Sequence, residues 1–157
     1  MKNRIFIGEF VGSAFLVMII VGSGIMAQNL TRDFAVMLLA NTLATGAGLF
    51  VLINSIADIS GAHFNPAVTM VMYFTKKIKK DLIVTYLSAQ ILGCLLGVML
   101  ANFMFELPLI ELSKKVRPGF NIFIAELIAT FGLIFIIFGT LKKGSTSVAA
   151  SVATYIT

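Results

Sequence analysis

The residues able to do chemistry gather in one short stretch, SGAHFNPAVT, Ser60 to Thr69, lying between long apolar segments. Pro66 suits the first turn of a helix, where its missing N–H would have no partner. Asn65 then becomes the N-cap, and helix start and amide together present N–H donors and a partial positive charge. That arrangement suits a neutral polar solute or an anion and repels cations. Upstream, Gly61, Ala62 and His63 are expected to be extended, with their carbonyl oxygens in a file. Carbonyl acceptors leading to an amide donor make a path for a molecule that both donates and accepts hydrogen bonds. His63 is the single histidine of the chain and lacks a thiol or carboxylate partner nearby in sequence, so it reads as lining or structural rather than as a metal ligand. Two acids, Glu9 and Glu126, stand inside apolar runs. A proton relay and acceptors for irregular backbone both fit them, and the second is the preferred reading. There is no HExxH, no GxSxG and no pair of aspartates within an apolar run, so no catalytic residue, metal or cofactor is expected.

These residues need elements to position them, and composition names the solvent. The 157 residues are 59% hydrophobic and 12% charged, with a mean hydropathy of +1.00, which is the balance of a membrane protein. Apolar stretches at Ile5–Ala27, Phe34–Ile56, Leu82–Phe105 and Ile122–Leu141 are each long enough to cross a bilayer as a helix. A fifth begins near Ser145 and is still running at Thr157. The run after Asn65, AVTMVMYF, is too short to cross and reads as a half-helix that enters the membrane and returns to the same side. The twelve Lys and Arg residues agree with that return. Lys2, Arg4, Lys76, Lys77, Lys79, Lys80, Lys142 and Lys143 fall on one side, against Arg32, Lys114, Lys115 and Arg117 on the other. Eight against four places the N-terminus in the cytoplasm. The Lys76–Lys80 cluster is first of all a topology signal, with lipid binding the alternative. A net charge of +5, lying between spans, makes the bilayer the expected partner and nucleic acid an unexpected one. The lone Cys94 excludes an internal disulfide.

A repeat runs through the chain with a shift of 117 residues. GEFVGSAFLVMIIVGS (Gly8–Ser23) lies over AELIATFGLIFIIFGT (Ala125–Thr140), with Glu9 over Glu126 and Gly22 over Gly139. Three spans separate the starts, so the second copy is inverted, the organisation of many transport proteins. The chain then reads as one domain over 1–157, with a first repeat at 1–119 carrying the half-helix and an incomplete inverted second repeat at 120–157. The mate of Asn65 would fall near position 182. Two glycine pairs, Gly8/Gly12 and Gly93/Gly97, permit close helix approach.

These residues resemble the aquaporin, or major intrinsic protein, family. GEFVGSAFLV is similar to its first-span motif, ISGAHFNPAVT to its first NPA box, SAQILGCLLG to its third span and AELIATFGLIF to its fourth. The resemblance implies an all-α membrane protein, an inverted repeat with four full spans, one re-entrant half-helix and a partial fifth span. It also implies homotetramers and passive, proton-excluding flow of water or small uncharged solutes. It casts Asn65, Pro66 and Ala67 as the first box, Gly61, Ala62 and His63 as the carbonyl ladder, and Glu9 and Glu126 as loop-bracing acids. The family's selectivity filter takes a residue twenty positions before the box asparagine, often Phe or Trp. Here it is Thr45, in ANTLATGAGLF, a stretch similar to bacterial members that pass arsenite and other uncharged metalloid hydroxides. A wider filter, admitting glycerol or urea, and a bacterial inner membrane are therefore expected. No second box follows within the 157 residues. The chain is thus expected not to conduct alone: a fragment, an incomplete sequence or a half-channel completed by a second chain all fit, as does a non-conducting membrane protein.

Overall fold

The computed structural model describes residues 1–111 and 119–157. Lys114, Lys115 and Arg117 of the charge count lie outside the described residues. The fold is all-helical: α1 (Lys2–Leu30), α2 (Phe34–Ser60), α3 (Pro66–Phe74), α4 (Ile83–Met104), α5 (Phe120–Thr140) and α6 (Ser145–Ile156). Single 3₁₀ turns, Lys80–Leu82 and Leu141–Lys143, lead into α4 and out of α5. Among the described residues four helices are long and apolar enough to span a bilayer, and α3, at nine residues, is not. In a bilayer the backbone must satisfy itself, and helices do so along their whole length.

Local chemistry fixes the boundaries. Asp33 caps α2, its carboxylate accepting from the N–H groups of Ala35 and Val36. Gly61, at φ 92°, ends α2 in the left-handed region that favours glycine. Side chains on all sides of these helices are apolar because most of the surface meets lipid, as the exposed Phe34, Phe103 and Phe135 illustrate.

Packing is densest between α1 and α4 and between α1 and α2. Small residues make the first contact. A Cβ on Gly93 would overlap the Phe10 carbonyl and one on Gly97 the Ala14 carbonyl, so the α4 pair meets the α1 backbone directly. The α1 pair serves other neighbours: Gly12 makes room for the Phe64 ring, and a Cβ on Gly8 would come within 2.9 Å of Ser60. A central apolar cluster joins Leu49, Ile53 and Ile56 of α2, Phe64, Val68 and Met72 of the re-entrant segment, Ile137 of α5, and Ala149 and Val152 of α6. The half-helix is thereby wedged between the long helices.

Candidate functional site

The chain re-enters the bundle immediately after α2, and the geometry there starts from Glu9. This side chain is fully buried and accepts four hydrogen bonds. Oε1 takes the Ser60 hydroxyl at 2.7 Å and the His63 N–H at 2.9 Å. Oε2 takes the Phe64 N–H and the Gln90 amide, both at 2.8 Å. A carboxylate offers about four acceptor sites, and here donors from α1's three neighbours fill them.

Those bonds dictate the backbone. Successive N–H groups of an extended strand point to opposite sides, so His63 and Phe64 could not both reach Glu9 from one. The expected extended conformation of Gly61–His63 is therefore not what forms. Gly61, Ala62 and Phe64 have φ of 92°, 49° and 48°, and these turns bring the neighbouring N–H groups of His63 and Phe64 onto a single carboxylate. Left-handed Ala and Phe each cost about 1–3 kcal/mol, which charge-assisted bonds to Glu9 offset. In a trans peptide the carbonyl points opposite to the N–H that follows it. With the N–H groups of Ala62, His63 and Phe64 held by Ser60 and Glu9, the carbonyls of Gly61, Ala62 and His63 face away from that network. Among the described residues no donor reaches them.

Asn65 follows at the N-cap of α3. Its Oδ1 accepts from the N–H groups of Ala67 (2.7 Å) and Val68 (3.3 Å), with Pro66 in the first turn. Since the oxygen is committed to the helix, the amide NH₂ remains as a donor. His63 is fixed from two sides, stacking on Tyr86 with centroids 4.4 Å apart and meeting Thr69 through Nδ1 at 3.1 Å. Thr69 has one proton; with that proton on the Asn65 carbonyl, His63 carries its own on Nδ1 and offers Nε2 as an acceptor. Tyr86 also donates to the Ser60 carbonyl.

A cavity of about 310 Å³ opens beside this segment. Gly61, Ala62, His63 and Asn65 give it a polar strip, Asp58 and Ser145 add further polar groups, and Leu49, Ile53, Val148 and Val152 are among its apolar lining. Such a polar strip in an apolar sleeve orients a small solute without gripping it. Leu49, Ile53 and Ala57 line it at helical spacing on α2. Thr45 continues that stripe one turn beyond, buried, with its hydroxyl unpartnered among the described residues. Glu126, the repeat mate of Glu9, is placed differently. It is exposed on α5 in an open groove with Phe123, Leu127 and Thr130.

Sequence reasoning passed over Ser60, Thr69, Tyr86 and Gln90. Gln90 carried a usable signal, being an uncharged but strongly polar residue inside an apolar run. A buried amide must find partners.

Residues 1–156 match the Major intrinsic protein family. The chain belongs to that family. Among its relatives, aquaglyceroporin AqpS of Rhizobium meliloti is 42% identical over 96% of this chain and 65% of its own length. Aquaporin TIP1-1 of Arabidopsis thaliana is 32% identical over 94% of this chain and 62% of its own. The chain thus spans less than two thirds of the length of these Major intrinsic protein relatives. The crystal structure of the aquaglyceroporin from Plasmodium falciparum superposes with a TM-score of 0.82 at 25% identity, covering 99% of this chain and 70% of that one. The all-helical fold and integral membrane character follow for this chain too.

Proposed function

We propose that this chain forms the wall of a passive transmembrane path for water and small uncharged solutes such as glycerol, urea or metalloid hydroxides, and that it is a channel rather than an enzyme. One observation carries the reading: the cavity is bordered by the free carbonyls of Gly61–His63 and, at the N-terminus of a half-helix, by the Asn65 amide. A solute moving along it exchanges water for acceptors and then for a donor. The electropositive start of α3 opposes cations where they would pass Asn65. Pro66 and Ala67 set the helix start that aims Asn65, and Thr45 forms the constriction one turn beyond Leu49. Glu9 braces the loop. The names of the aquaglyceroporin relatives support solutes larger than water, as does the small side chain at position 45. The excess of basic residues at one end supports an N-terminus in the cytoplasm, and the bacterial relative supports the inner membrane. Tetramers and the division into repeats at 1–119 and 120–157 belong to the same proposal.

Stopped-flow light scattering tests it. Liposomes containing the purified chain with a polypeptide that supplies a further half-helix should respond to gradients of glycerol, urea and an impermeant osmolyte faster than empty liposomes. The chain alone should give little flux, and equal rates for the pair and for empty liposomes would overturn the reading of a path walled by this chain. The exposed groove around Glu126 is where that further half-helix would dock to complete the pore.

A further inference from the structure

The end of the bundle where α1, α4 and α6 begin holds Lys2, Arg4, Lys76, Lys77, Lys79, Lys80, Lys142 and Lys143 against two acids, Asp58 and Asp81. Among the described residues the one ion pair is Lys2 with Asp81 at 3.2 Å. Asp58 lines the cavity, as do Leu141 and Ser145. Two of the basic segments are far apart in sequence and are folded together. Ile78 and Leu141 pack on the same apolar cluster. The Lys77 ammonium lies 5.8 Å from the centre of the Phe138 ring. Lys142 and Lys143 follow Phe138 in the 3₁₀ turn that ends α5. The turn that carries Lys77 is held in shape: the N–H groups of Lys77 and Ile78 both donate to the Met72 carbonyl, at 2.8 and 3.3 Å, and Lys76 takes a left-handed φ of 58°.

Membrane orientation needs only a count of basic residues on one side. It does not need Lys77 seated over an aromatic ring, with the Lys142–Lys143 turn packed on the same cluster and, among the described residues, no carboxylate paired to either. Two basic turns brought together where spans leave the hydrocarbon call for an anion, and the surrounding bilayer supplies one. We propose that Lys77, Lys142 and the adjoining Lys143, floored by Phe138, bind the phosphate headgroup of an anionic membrane lipid. The ring screens the stem of Lys77 from water and favours its charge, while the phosphate neutralises the repulsion.

Native mass spectrometry of the full chain, extracted from nanodiscs of mixed phosphatidylglycerol and phosphatidylcholine, reads the retained lipid directly and does not depend on conduction. Wild type should retain phosphatidylglycerol in preference. Lys77→Gln with Lys142→Gln should weaken retention on the order of tenfold. Arg4→Gln with Lys80→Gln removes the same charge from the same face, and should change it about twofold or less. Both leave six basic residues to fix orientation. Phe138→Leu keeps every charge and should weaken retention as well, which covers a double variant that folds poorly. Equal losses in the two double variants would reduce the site to diffuse attraction and overturn the proposal. So would an absence of lipid preference in wild type, or displacement of the lipid by soluble glycerol phosphate at matching concentration.

Discussion

Glu9 and Asn65 divide the work of the re-entrant segment, one shaping the backbone and the other facing the cavity. Glu9→Gln replaces half of an acceptor-only group by an NH₂ that must confront two of the four inward-pointing donors. The change should destabilise the fold by about 1.5–3 kcal/mol, read as a lower midpoint of thermal unfolding in detergent. Asn65→Asp makes a contrasting case. Its carboxylate still accepts from Ala67 and Val68, so unfolding should stay close to wild type, within about 1 kcal/mol. The NH₂ donor is lost and a negative charge appears at the start of α3, so cation leakage should rise in a potassium or proton flux assay of reconstituted protein. Asn65 and Pro66 were legible in the sequence because capping is local: type and spacing suffice. The left-handed turns at Ala62 and Phe64 were not, because they are imposed by an acceptor 54 and 55 residues away and nothing in the residues themselves asks for them.

At the level of elements, the α1–α4 contact depends on two glycines. Gly93→Ala or Gly97→Ala would drive a methyl into a main-chain carbonyl, which only separation of the helices can relieve. Each should cost about 1–3 kcal/mol. Gly139→Ala meets nothing within 4 Å and should be neutral or stabilising by up to about 1 kcal/mol. Comparing the three variants by thermal unfolding separates packing from helix propensity. Hydropathy located the spans, since lipid imposes a length. Which glycine faced which partner was beyond it: Gly12 accommodates a phenylalanine from the loop and Gly97 a carbonyl from α1, though both sit in the same motif. Helix rotation, set by packing, decides between them. The same limit applies to Glu126, whose register with Glu9 is plain in the sequence while its surroundings on α5 are open.

For the whole molecule, the proposed orientation rests on charge. Replacing Lys76, Lys77, Lys79 and Lys80 by Gln leaves four basic residues on each side, and the insertion bias should vanish. Protease protection of an N-terminal epitope in sealed vesicles should then show both orientations, against one for wild type. The network at Glu9 bears on the molecule's history as well as its shape. Its donors come from Ser60, His63, Phe64 and Gln90, the last 81 residues along the chain. A ribosome releases Glu9 first and Gln90 long afterwards, so a nascent chain must carry an unsatisfied acid, and later a bent loop, until α4 arrives. The first helix therefore carries the cost of an unpaired acid until a partner that has yet to be synthesised arrives beside it.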